Sequence, residues 1–110
     1  MRTWTLSAVA KASLVDIYEY TTRKWGQRQA DKYLDGLFRV FERIPERKVP
    51  WRPIPEEFEV KGYCYRYRQH YIYWRRFPDG HVGMTAILHA SMMHGERLAT
   101  AFGLEEGDGE

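Results

Sequence analysis

Two apolar stripes at helical spacing lie back to back between Ser7 and Pro45, and they constrain the fold more than any other feature of the chain. The first carries Ala10, Leu14, Ile17, Tyr18, Thr21 and Trp25. The second carries Ala30, Leu34, Leu37, Phe38, Phe41 and Ile44. The charged residues, Lys11, Asp16 and Glu19 among them, fall mostly on the other sides. Ser7 stands where a helix N-cap belongs, because its hydroxyl can accept from an unpaired N–H of the first turn. Gly26 tolerates the backbone that ends a helix, and Pro45 closes the second stripe. Helices joined by so short a turn run antiparallel. Such a hairpin buries its stripes only against another apolar layer.

The rest of the chain offers that layer. Trp4 and Leu6 alternate with Thr3 and Thr5, which predicts a strand over Arg2–Leu6. Residues 46–59 hold Pro50, Pro53 and Pro55 and read as an extended loop. From Val60 to Ala90 the chain turns aromatic and β-branched, with Pro78-Asp79-Gly80 as a turn. Strands are expected at about 60–68, 71–77 and 82–89, joined as an antiparallel meander. HGERLATAF, residues 94–102, predicts a short helix ending at Gly103. The acidic tail, residues 105–110, is expected to be disordered. The expected fold is therefore α+β and two-layered. An N-terminal strand and an antiparallel helical hairpin pack on an antiparallel β-sheet (β-α-α-β-β-β), and a short C-terminal helix follows.

A chain of 110 residues predicts one domain, here over residues 1–104. No apolar run approaches the roughly 20 residues of a membrane helix, and no signal-peptide pattern opens the chain. Cys64 is the single cysteine, so no internal disulfide can form. A cytoplasmic setting is expected. The formal net charge is +2, but Glu105, Glu106, Asp108 and Glu110 crowd the last six residues. Four of the 15 acids thus lie in the tail, and the 17 Lys and Arg leave residues 1–104 at +6. A basic body suits an acidic partner, either nucleic acid or protein.

Residues 62–76, GYCYRYRQHYIYWRR, look on paper like a single-strand-binding surface of interleaved rings and bases. Strand parity argues against that. Tyr63, Tyr65 and Tyr67 share one face, and Cys64, Arg66 and Arg68 share the other. With Gln69-His70 as a two-residue turn, Tyr67 would face Ile72 and Tyr65 would face Trp74. The expectation is an aromatic floor under the helices and a basic face opposite.

Three segments, LSAVAKASLVDIYEYTTRKWG, QADKYLDGLFRVFERIP and YIYWRRFPDGHVGMTAILHASM, resemble the ParE toxins of the RelE/ParE superfamily. The matching positions are Leu14, Asp16, Ile17, Tyr20, Trp25 and Gly26 in the first helix, Ala30 and Tyr33 in the second, and Ile87, Leu88 and His89 in the last strand. The match spans roughly residues 5–98. The resemblance implies the toxin of a type II toxin–antitoxin system, held in a hetero-oligomer by a ParD-like antitoxin that also represses the operon. Contact with DNA would then run only through the antitoxin. ParE-type members act on DNA gyrase, stop replication and arrest growth. RelE-type members, on the same fold, cut messenger RNA on the ribosome.

RNA cleavage by the 2′-hydroxyl route needs a base, an acid and cations for the phosphorane. Arg66, Arg68 and His89 could fill part of that set, but no tyrosine follows His89 and no acid lies between Lys61 and Asp79. His89 also has a structural role open to it, holding the turn into Ser91 through its ring. The reading adopted is a gyrase inhibitor that acts by binding, with no catalytic residues of its own. A RelE-like ribonuclease and a non-toxic antitoxin-binding relative are the alternatives. Arg66, Arg68 and Arg75 are candidates for meeting an acidic antitoxin segment. Relatives often carry charges after the Ile-Leu-His, where this chain has Ala90, Ser91, Met92 and Met93. Met92, Met93 and Arg97 are the candidate target-binding residues, with one methionine packed and the other exposed. His70, His81 and His94 are too irregularly spaced for a metal set, and neither metal nor cofactor is expected.

Overall fold

The computed structural model describes residues 3–108, with side chains through Leu104. The elements follow the expected order. Strand β1 (Trp4–Leu6) leads into helices α1 (Ala8–Trp25) and α2 (Gln27–Arg43). After the proline loop come β2 (Arg52–Pro53), a 3-10 turn (Glu56–Phe58), β3 (Tyr63–Tyr67), β4 (His70–Arg76), β5 (Val82–His89) and α3 (His94–Asp108). Arg2, expected in the first strand, lies outside the described residues. The sheet order is β1-β5-β4-β3-β2. β1 joins β5 in parallel, and the other neighbours are antiparallel.

The helical hairpin forms as its sequence dictates. Ser7 Oγ accepts from the Ala10 N–H at 3.0 Å, and Gly26, at φ 92°, ends α1 with its N–H on the Thr22 carbonyl. Ala10, Leu14 and Ile17 of α1 and Leu37, Val40, Phe41 and Ile44 around α2 pack onto Trp4, Ile72, Trp74, Val82, Met84 and Ile87 of the sheet. Tyr63, Tyr65 and Tyr67 border this core, as parity predicts. Gly36 matters here, because a Cβ on it would collide with the Tyr67 phenol. Two stripe residues depart from expectation. Trp25 is 66% exposed and Phe38 37% exposed, and Val40, not among the stripe residues, is buried in their place.

The β3–β4 turn sits one residue earlier than expected. Arg68 and Gln69 form it, with Arg68 at φ 51°. Tyr67 therefore faces His70, Tyr65 faces Ile72 and Tyr63 faces Trp74. Each partner shifts by two, so the faces keep their sides. His70 gains a strand position from which its ring reaches Tyr33.

The face opposite the hairpin is not the basic surface that parity alone predicts. Ile54, Tyr73, Ala86 and Leu88 form a second apolar cluster with Leu98, Ala101 and Phe102 of α3, and Cys64 and Tyr71 pack against it. Leu98, Ala101 and Phe102 stand at helical spacing, a stripe that needs an apolar partner. The arginines are pushed to the margins. Nor does α3 stop at Gly103. It continues to Asp108, so the first four residues of the acidic tail extend it, and Gly109 and Glu110 lie outside the described residues.

A bulge lies at the centre of the sheet. Tyr73 faces Ala86 while Trp74 faces Met84, which leaves Thr85 unopposed on β5. The extra residue reverses the parity of β5. Val82 and Met84 point to the hairpin before it, and Ile87 does so after it. The Thr85 carbonyl accepts from Ser7 Oγ at 2.9 Å.

Candidate functional site

The three candidate arginines do not make one patch. Arg66 projects to the α3 side of the sheet, with its guanidinium 5.4 Å from the Tyr71 ring centre and its Nε donating to the Arg68 carbonyl at 2.8 Å. Arg68 occupies the turn, and its Nε donates to Tyr67 Oη at 3.3 Å. Arg75 lies toward the far end of β4, 5.1 Å from the Phe77 ring centre. The Cys64–Tyr73 pair separates it from Arg66.

His89 reaches the hairpin side because of the bulge. Its Nδ1 accepts from the Ser91 N–H at 3.0 Å and meets Ser91 Oγ at 2.7 Å, which holds the turn that follows β5. The His89 carbonyl takes His94 Nε2 at 2.9 Å, and His94 Nδ1 lies 2.6 Å from the Tyr73 hydroxyl. Burial pushes that phenol well above its ordinary range. His70, directly across from His89, stands edge-on to it, with ring centres 5.2 Å apart. Its Nδ1 lies 2.7 Å from the Tyr33 hydroxyl. Burial, helped by the charge His89 can carry, lowers the His70 pKa to about 4, so its ring is neutral at pH 7. Burial also raises the Tyr33 phenol.

Arg68 and His89 thus line one cleft of about 440 Å³ between the tips of the two hairpins, while the Arg66 guanidinium lies on the other face. The set considered for RNA cleavage is assembled only in part. Tyr20, Trp25, Tyr33 and His70 share this cleft. Sequence reasoning did not link them, because neither the bulge nor the turn position is written in residue periodicity.

Both methionines are exposed, Met92 by 43% and Met93 by 82%, which corrects the expectation that one would pack. The turn explains this. The Met92 N–H closes onto the His89 carbonyl at 3.0 Å, and the chain leaves the sheet before either side chain can reach the core. Met93 and Arg97 line a groove of about 680 Å³ with Val9 and Ser13 of α1 and Leu88 of β5, and Met92 stands outside that lining. On the opposite side of the protein, β2 pairs only with Tyr63 and Cys64. Tyr65 and Arg66 therefore have no strand partner on that edge among the described residues. A depression beside this edge is lined by Arg39, Arg43, Lys48, Tyr65 and Tyr67. Between the outer faces of α1 and α2 runs an apolar groove with Leu14, Val15, Tyr18, Leu34 and Phe38.

A strand, a helical hairpin and a meander define a small α+β protein whose β3 edge is basic and only partly paired among the described residues. A family model described as "ParE toxin of type II toxin-antitoxin system, parDE" matches residues 4–94. The chain belongs to this family of ParE toxins, and membership implies an antitoxin partner. It is similar to "Toxin ParE" of Escherichia coli, with 30% identity over 99 residues that cover 90% of this chain and 95% of the relative. Among the described residues no group of three or more His, Cys, Asp and Glu could hold a metal, and no helix is long and apolar enough to cross a membrane.

Proposed function

We propose that this toxin arrests growth by binding DNA gyrase in the cytoplasm, and that a ParD-like antitoxin neutralises it. The observation that carries the binding reading is the split of the candidate cleavage set across the sheet. Arg66 and His89 lie on opposite faces, and His89 Nδ1 is held by Ser91. A general acid and its phosphate-binding cations must converge on one phosphodiester. The groove with Met93 and Arg97 offers an adaptable methionine surface for the target. The open β3 edge, with Arg39, Arg43 and Lys48 beside it, suits an acidic antitoxin segment that adds a strand as it orders. Contact with DNA would then run through the antitoxin.

Purified protein is expected to block gyrase supercoiling and to leave ribosome-bound message intact. Message cleavage abolished by Arg68→Ala or His89→Ala would install the ribonuclease reading instead. Normal growth with soluble folded toxin and no antitoxin would point to a relative that has lost toxicity.

A further inference from the structure

The cleft between the hairpin tips has a composition that neither core packing nor the proposed gyrase and antitoxin surfaces account for. Its outer wall is Trp25 and Tyr20, which are 66% and 51% exposed although they sit on a helix whose core positions are filled elsewhere. Its floor is polar. Tyr33 presents its hydroxyl to His70 Nδ1, and the Ser91 N–H occupies His89 Nδ1. Each ring thus has its Nδ1 engaged within the protein. Neither Nε2 has a protein partner among the described residues. Arg68 closes one end of the cleft, and Gln29 and Gln69 add amides. None of the lining residues is acidic. Lys24 stands near the rim, with its ammonium 5.9 Å from the Trp25 ring centre.

Stacking planes, amides able to read a ring edge, and a cation beside two imidazoles make one combined demand. The ligand must be flat, polar at its edge and anionic at one end. We propose that this cleft is a binding site for a nucleoside monophosphate unit, with the base against Trp25 and Tyr20 and the phosphate toward Arg68 and the two imidazoles. A cavity of about 440 Å³ is the size of a small-molecule site. Exposed aromatic planes stack on any base, and adjacent cations set the orientation. The unit is either a free nucleotide or the end of a single strand. The cleft shares no lining residue with the Met93–Arg97 groove, so it is distinct from the proposed gyrase surface.

The test is an NMR titration of the full chain, reading the backbone amide signals together with the tryptophan indole and the histidine ring signals. The probes are AMP, CMP, adenosine, inorganic phosphate, and 5′-phosphorylated single-stranded DNA and RNA oligonucleotides. Saturable shifts confined to Trp25, His70, His89 and Arg68 are expected, with AMP binding more tightly than adenosine or phosphate alone. Trp25→Ala should weaken AMP binding about tenfold or more. Arg68→Gly removes the guanidinium but suits the turn's positive φ, and it should weaken AMP while leaving adenosine unchanged. Tighter binding of oligonucleotides than of AMP assigns the site to strand ends, and equal binding assigns it to free nucleotide. Shifts centred on Tyr71, Tyr73 and Arg66, or none at millimolar nucleotide, overturn the proposal.

Discussion

Ser7 shows how much one side chain carries. It caps α1, and its hydroxyl also donates to the Thr85 carbonyl at the bulge. Ser7→Ala removes both bonds, the helix cap and the tie to β5. The expected cost is about 1–2 kcal/mol by urea denaturation. Gly36→Ala presents opposed effects. Helix preference favours alanine by about 1 kcal/mol, but the new methyl displaces the Tyr67 ring. Net destabilisation is expected in the native background and net stabilisation in Tyr67→Ala, and an unchanged sign would refute the packing argument. His70 sets an acid limit. An unfolded histidine protonates near its ordinary 6.5, whereas the folded ring does so only near 4. Between those values the unfolded chain binds more protons. Stability is therefore fully present above about pH 6.5 and falls as pH drops toward 4. After discounting for partial solvent exposure, the loss is about 1–2 kcal/mol. His70→Asn should flatten that slope in denaturation midpoints taken at neutral pH and near pH 5.

Among the elements, the two long helices were legible in the sequence because a stripe repeated over four or five turns has no competing reading. Ser7, Gly26 and Pro45 marked their ends for stereochemical reasons that hold in isolation. The strands were legible as segments, but their register was not. Tertiary partners decided it, namely Tyr33 for the turn at Arg68-Gln69 and Ser7 for the bulge at Thr85. Strand β2 is two residues long and has no periodicity to detect. Its Pro53 lacks a donor and is tolerated because β2 is the sheet's last strand. Helix α3 was visible, but its role was not, since Leu98, Ala101 and Phe102 make a stripe of little more than one turn. That role is testable. Leu98 is wholly buried between α3 and the sheet, so Leu98→Ala should cost about 2–4 kcal/mol. Hydrogen exchange should accelerate first in α3 and the 3-10 turn rather than in the α1–α2 hairpin.

For the molecule as a whole, the +6 carried by residues 1–104 bears on association more than on folding. Arg39, Arg43, Lys48, Arg66 and Arg68 concentrate that charge near the free edge of β3. Association with an acidic antitoxin should slow by about tenfold or more as salt rises from low to high. Arg39→Glu with Arg43→Glu should slow it at low salt and leave little further salt dependence, as read by stopped-flow or surface binding kinetics. The basic body was legible from composition, but its location was not. The sequence put the charge on a whole sheet face, and the α3 contact confines it to an edge. The parallel pairing of Trp4–Leu6 with Val82–Met84 has a consequence for how the protein is made. The first strand finds its neighbour only in the last strand, 78 residues later in the chain, and the Ser7 hydroxyl waits for a carbonyl from that same strand. The emerging helices cannot bury their stripes on the finished sheet until the Val82–Met84 segment has been made. A partner that adds a strand to this sheet would therefore find its complete template only after the segment 78 residues beyond Trp4 has joined the fold.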